Sequence, residues 1–221
     1  MENLPATDLP AKNLIVAMTT DKGLCGGVNT ILGRMTKQLL TRMEADGKSY
    51  QLLVLGEKGK GQLRRIYGDK IVASLSDRAV PYNFELACAI SQEIVSQDFD
   101  SVHILYNAFK SAIVYIPSIK SIQPKRDPTD PIFSSFEVEP DNDVDTLENF
   151  FEYTLATQVL HSLLENATSE QSSRMNAMEN ASKNASEMIG KLTLQYNRAR
   201  QARITTELIE IISGASALKA N

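Results

Sequence analysis

The chain is 221 residues long, with 23 basic and 27 acidic residues and a net charge of −4, enough to bury a core in one domain or in one domain plus an extension. The acidic balance gives no general pull toward nucleic acid or anionic lipid. Two cysteines and two histidines rule against a disulfide framework, a zinc site and an imidazole-rich metal cluster and fit a reducing compartment, and no apolar run approaches the roughly 20 residues that cross a bilayer.

The opening segment, MENLPATDLPAK, is acidic and carries prolines, unlike a secretory signal or an Arg-rich transit peptide, so such a segment is expected to have been removed or never to have belonged to this chain. NLIVAM then reads as a buried strand, and TTDKGLCGG leads from it into VNTILGRMTKQLLTRM, which has helical spacing. Strand, glycine turn and helix form the usual setting of a nucleotide site. The spacing argues against one. Gly23, Gly26 and Gly27 make G-x-x-G-G, neither the dinucleotide pattern nor the phosphate loop, and Lys22 precedes the glycines instead of following them. Asp21 is expected to cap or shape the turn, and Cys25, with no histidine nearby in sequence, to be a small structural residue. GEKGKG, Gly56 to Gly61, follows the strand YQLLVL and lacks the same spacing. Both turns are read as tight backbone turning.

KIVASLS reads as a third strand, PYNFELACAISQEIVSQ as an amphipathic helix, and SVHILYNAF with AIVYIPSI as a pair of strands. Strands alternating with helices imply an α/β layer fold with a mostly parallel sheet and an antiparallel edge. His103, in the apolar strand, is expected to be a satisfied core or edge residue. The Pro- and Asp-rich stretch from Ser121 to Asp145 reads as an exposed loop or short strand, with Lys125 and Arg126 as solvated charges within reach of a partner.

From Leu147 to Leu218 there is no proline and apolar residues recur at threes and fours. As one helix this stretch would run to roughly 110 Å at 1.5 Å per residue. Met178, Ala181, Ala185, Met188 and Leu192 keep a strict alternation of three and four, as do Ile204, Leu208, Ile211, Ala215 and Leu218, so each set forms a seam of the coiled-coil type. No helix of comparable length precedes it. The partner is expected on another polypeptide, on a missing part of this one, or in a surrounding assembly. Arg198, Arg200 and Arg203 are followed by Glu207 and Glu210 and then by an almost uncharged end, Ile211 to Leu218, which suits a helix inserted into a protein socket.

The segment SEQSSRMNAMENASKNASEMIGKLTLQYNRARQARITTELIEIISGASAL closely resembles the C-terminal segment of the gamma subunit of F-type ATP synthases. ITTELIEIISGASA, Ile204 to Ala217, fits throughout the family signature of Ile or Val, then T-x-E-x-x, Asp or Glu, x-x-x-G-A-x, and Ser, Ala, Lys or Arg. TTDKGLCGGVNT is similar to the turn after the family's first strand, and FEYTLATQ and NASKNASEMI look more like mitochondrial members. The resemblance implies a Rossmann-like foot domain over residues 1–140 and, over 141–221, one very long helix forming half of an antiparallel coiled coil. It implies a non-catalytic rotor of the central stalk that couples proton-driven rotation of the c ring to ATP synthesis at the alpha/beta hexamer, without cofactor, catalytic residue, metal or nucleic acid.

Carried onto this sequence, Arg200, Gln201, Thr205 and Glu207 would contact beta subunits, with Arg198, Glu210 and Arg203 added from the charge pattern. Ile211, Ile212, Ala215 and Leu218 would sit in an apolar bearing, and Met178, Ala181, Ala185, Met188 and Leu192 would form the coiled-coil seam. Implied partners are the alpha and beta subunits, the c ring and the small stalk subunits delta and epsilon, and the implied location is the matrix side of the mitochondrial inner membrane, peripheral to it. Family members begin with a long helix before the first strand, whereas Met1 stands thirteen residues before Leu14, so a missing or separate helix is expected. The rival reading is a small α/β enzyme that binds a nucleotide or phosphorylated substrate at the glycine turns; a third is a module that dimerises through the long helix.

Overall fold

The computed structural model describes residues 9–77, 82–123 and 144–219. Lys125 and Arg126 lie outside them, as does most of the Pro- and Asp-rich stretch. The elements follow in the order β1 (Lys12–Met18), α1 (Val28–Ala45), β2 (Ser49–Leu55), α2 (Glu57–Tyr67), a 3-10 turn (Gly68–Lys70), β3 (Ile71–Leu75), α3 (Phe84–Val95), β4 (Ser101–Phe109), β5 (Tyr115–Ile122) and α4 (Val144–Lys219).

The strands form one sheet in the order β3-β2-β1-β4-β5. β1 pairs parallel with β2 and β4, β2 parallel with β3, and β5 runs antiparallel to β4. The mostly parallel sheet with an antiparallel edge is therefore present as expected. β1 and most of β2 and β4 are buried on both faces, which is why they read as continuous apolar runs and not as alternating ones.

Two cores cover the sheet. On one face Ile15, Ala17, Leu52, Val54 and Leu105 meet Leu32, Met35, Leu39, Leu40 and Met43 of α1 and Leu63 of α2. On the other, Leu14, Val16, Met18, Leu53, Leu55, Val102 and Ile104 meet Ala87, Ile90 and Ile94 of α3 and Leu155, Val159 and Leu163 of α4. α3 begins where Asn83 accepts a hydrogen bond from the Leu86 N–H, a side-chain cap that supplies one of the helix's orphan donors.

The chain divides into two compact units, residues 1–176 and 177–221. That division departs from the boundary at 140/141 expected from sequence. The first turns of α4 belong to the α/β body because Leu155, Ala156, Val159 and Leu163 are buried in it, followed by Ser162, Asn166, Ser169 and Glu170.

Candidate functional site

In a doubly wound sheet a ligand binds beyond the carboxyl ends of the strands, where the strand order reverses. Here that point lies between β1 and β4, which run parallel from Asn13↔Ser101 to Ala17↔Leu105. The chain's own atoms fill it. Ser169 of α4 donates through Oγ to the Asn107 carbonyl at 3.0 Å, Asn166 Oδ1 accepts from Asn107 Nδ2 at 2.9 Å, and Ser173 Oγ donates to the Cys25 carbonyl at 2.7 Å.

The glycine turn is braced from within by Asn29, although α1 itself starts at Gly27 without a side-chain cap. Asn29 Oδ1 accepts from the Thr20 N–H, while its Nδ2 donates to Thr20 Oγ1 at 2.7 Å and lies 3.3 Å from Cys25 Sγ. At the start of α2, Asp21 Oδ1 accepts from the Glu57 N–H, the Thr20 carbonyl from the Lys58 N–H and Thr19 Oγ1 from the Gly59 N–H. These are the orphan amides that hold an anion in a phosphate loop, and residues 19–21 already occupy them. Asp21 shapes the turn as expected, and buried Cys25 is structural. The glycines serve close approach: a Cβ at Gly59 would stand 2.4 Å from Thr19 Oγ1, and at Gly56, where φ is +98°, 2.6 Å from the Thr19 backbone.

His103 is 2% exposed and bonded through both ring nitrogens. Asn13 Nδ2 donates to the Pro10 and Ser49 carbonyls, so its Oδ1 accepts from His103 Nε2 at 3.0 Å, leaving Nδ1 to accept from the Ser121 hydroxyl at 2.7 Å. Burial lowers its pKa to about 4. It is a satisfied core residue linking three strands.

The contact between α4 and the sheet changes character along the helix. Up to Leu163 it is mainly apolar, with Gln158 a polar exception; beyond that it consists of side chains bonded to strand and turn backbone and, at Asn166, to the Asn107 side chain. Glu165 accepts from the Phe109 N–H at 2.6 Å, Ser172 Oγ and Asn176 Nδ2 both donate to the Ala112 carbonyl at 2.6 Å, and Lys120 Nζ donates to Gln158 at 2.7 Å. Burial lowers the Lys120 pKa, with the Glu165 carboxylate opposing the shift. Sequence reasoning missed this seam, since Ser and Asn on a long helix read as a solvated face.

Residues 177–219 carry the sequence-predicted contact residues and bury none of them among the described side chains. Met178, Met188 and Leu192 are 49 to 62% exposed and Ile204, Leu208, Ile211 and Ile212 49 to 67%; Ala181, Ala185 and Ala215 are exposed too, and the Leu218 side chain lies outside the described residues. Arg203 Nε pairs with Glu207 Oε1 at 2.9 Å, one turn along the same helix, and Thr205 Oγ1 donates to the Gln201 carbonyl. Arg198, Arg200 and Glu210 have no side-chain partner among the described residues. Ile189, Leu194, Tyr196 and Ile209, off the two seams, are 58 to 65% exposed as well. Leu192 and Ile204 are twelve residues apart, so at about 100° per residue the two seams lie about 120° apart around the helix. The apolar surface faces more than one direction.

A protein-family model described as ATP synthase matches residues 2–218. The chain is 41% identical over 214 residues to the ATP synthase gamma chain of Pelagibacter ubique, covering 93% of this chain and 73% of that one. It is 42% identical over 218 residues to the mitochondrial ATP synthase F(1) complex subunit gamma of Rattus norvegicus, covering 94% and 76%. Among solved structures, a chain of the central stalk and c ring of the Tetrahymena thermophila mitochondrial ATP synthase is 34% identical with a TM-score of 0.64, over 80% of this chain and 79% of that one. A chain of the Euglena gracilis mitochondrial ATP synthase shares the fold with a TM-score of 0.81 at 21% identity, over 95% and 74%.

Proposed function

The chain belongs to the ATP synthase gamma-chain family, and from that premise we propose how it works as the rotor subunit of the central stalk. It is not itself catalytic. Its α/β body is the foot on the c ring, and residues 177–219 enter the alpha/beta hexamer, where turning of the helix drives the catalytic sites.

The observation that carries this reading is the contrast within α4. Up to Asn176 the helix's side chains are hydrogen-bonded to strand β4 and to the turns beside it, whereas beyond Ala177 its large apolar residues stand in solvent on several sides. A free helix of that composition is marginal in water. The first seam suits an antiparallel helix and the second, rotated by about 120°, suits a surrounding socket. In that socket Arg198, Arg200, Gln201, Thr205, Glu207 and Glu210 meet beta subunits, and Ile211, Ile212, Ala215 and Leu218 form the apolar bearing. Arg203, paired with Glu207, would exchange that pair for a contact with the partner. The partners are the alpha and beta subunits, the c ring, the small stalk subunits and a second long helix. The location is mitochondrial, in keeping with the rat and Tetrahymena relatives, on the matrix side of the inner membrane. The enzyme reading is the less favoured, since α4 side chains bond to Asn107 and Cys25 at the switch point and residues 19–21 occupy the amides at the start of α2.

The test is mass spectrometry of the native complex recovered through a tag on this chain. Alpha, beta and c subunits in the complex support the rotor; recovery of the chain as a homodimer without them overturns it.

A further inference from the structure

Between α1 and α2 runs an open groove of about 550 Å³ lined by Thr30, Gly33, Arg34, Lys37, Gln38, Thr41 and Gln62. We infer that this groove docks an acidic peptide segment of a partner protein, Arg34 and Lys37 taking its carboxylates.

Its electrostatics are one-sided. No carboxylate lines it, and neither Arg34, which is exposed, nor Lys37, half-buried, has a hydrogen-bond or ion-pair partner among the described residues. Residues 28–70 hold nine basic and four acidic side chains in a chain whose net charge is −4, so this helical layer is a positive island on an acidic protein. Such a field steers a partner of opposite sign.

The shape argues for a peptide. Thr30, Arg34, Lys37 or its neighbour Gln38, and Thr41 succeed one another along one flank of α1 at spacings of three and four, and the eleven steps from Thr30 to Thr41 extend roughly 16 Å. Extended chain at roughly 3.3 Å per residue would lay about five residues along it. The hydroxyls of Thr30 and Thr41 and the amides of Gln38 and Gln62 both donate and accept, which suits peptide backbone. A compact phosphate would need converging donors at one point, whereas these are strung along a helix flank. The lining has no large apolar side chain to enter a lipid surface and no aromatic ring to stack on a base. Gly33 shapes the floor: a Cβ there would stand 2.1 Å from Gln62 Oε1, so glycine lets that amide settle against α1.

The test uses the full chain alone, without the alpha/beta hexamer, so its outcome is separate from that of the rotor assignment. A fluorescein-labelled peptide of alternating Glu and Ala, about ten residues long and so roughly twice the groove's span, is titrated by anisotropy at about 50 mM salt, where surface charges are weakly screened. A Gln-for-Glu peptide is the control. Saturable binding of the Glu peptide only is expected. It should weaken about tenfold in Arg34→Glu/Lys37→Glu, equivalent to roughly 1.4 kcal/mol, and by less than about threefold in Arg64→Glu/Arg65→Glu, which changes net charge equally on α2 outside the groove. Gly33→Ala keeps the charge, drives Gln62 into the groove, and should weaken binding too. Equal losses in the two charge variants, binding of the Gln peptide, no saturable binding, or displacement by inorganic phosphate but not by chloride at the same ionic strength would each overturn the proposal.

Discussion

At the scale of single residues the chain separates those that hold the fold from those left over for partners. His103 belongs to the first kind, and its burial has a pH signature. Its folded pKa lies near 4, below the ordinary value near 6.5, so between those limits the unfolded chain binds a proton that the folded chain refuses. Stability is therefore level above pH 6.5 and falls as pH drops toward 4, by an amount on the order of 3 kcal/mol. Urea midpoints between pH 7 and pH 4 should show this slope, and His103→Asn should flatten it whatever its effect at pH 7. Gly56 and Gly59 also hold the fold. Gly56→Ala forces a Cβ toward the Thr19 backbone at a φ of +98°, and should cost about 3 kcal/mol or more from strain and overpacking together, read as a lowered denaturation midpoint. Under the proposed function Arg200 and Gln201 would be of the second kind. Replacing both by Ala should leave assembly intact and lower coupled ATP synthesis about tenfold, the effect of removing one charge-assisted hydrogen bond; unchanged synthesis rates would count against the assigned contact.

At the scale of elements the contact of α4 with the sheet invites measurement. Asn166→Ala leaves the buried Asn107 amide without its partner, and Ser169→Ala removes the donor to the Asn107 carbonyl. Each should cost about 1–3 kcal/mol, and the amides of β4 and β5 should lose hydrogen-exchange protection before those of α1. The strands and the helices α1 and α3 were legible from sequence because apolar runs and helical spacing agree there; GEKGKG, read as a tight turn, instead forms the first turns of α2 from Glu57 onward, its glycines hiding the helical spacing. The reach of the α/β body into α4 was not. Leu155, Val159 and Leu163 show as apolar spacing, but Asn166, Ser169, Ser172, Ser173 and Asn176 look like a solvated face until strand and turn carbonyls come within hydrogen-bond distance. The glycine turn's spacing fitted no phosphate loop; the groups that meet at the switch point lie 59 to 148 positions apart in sequence, as Asn166 from Asn107 and Ser173 from Cys25, and no local pattern announces them.

At the scale of the whole molecule the division after Asn176 predicts two dynamic regimes. In the isolated chain, amides of residues 177–219 should exchange within seconds while those of β1, β2 and β4 stay protected, because the described side chains of the former are largely exposed. On assembly with alpha and beta subunits the difference should shrink; persistent fast exchange there would argue against insertion into a socket. The two apolar seams, about 120° apart, were visible in the sequence as two repeats, but their exposure and the extra apolar positions around them had to be seen in three dimensions. A final consequence concerns the way α4 meets the sheet. Apolar surfaces can creep past one another because dispersion has little preference for direction, whereas hydrogen bonds have fixed partners and narrow angles. To advance one notch, α4 would have to break its bonds to Asn107, Phe109, Ala112 and Cys25 together, with nothing gained part way. The joint therefore behaves like a keyed spline with a single allowed phase, and a twist applied to the sheet reaches the helix as rotation instead of being lost as slippage.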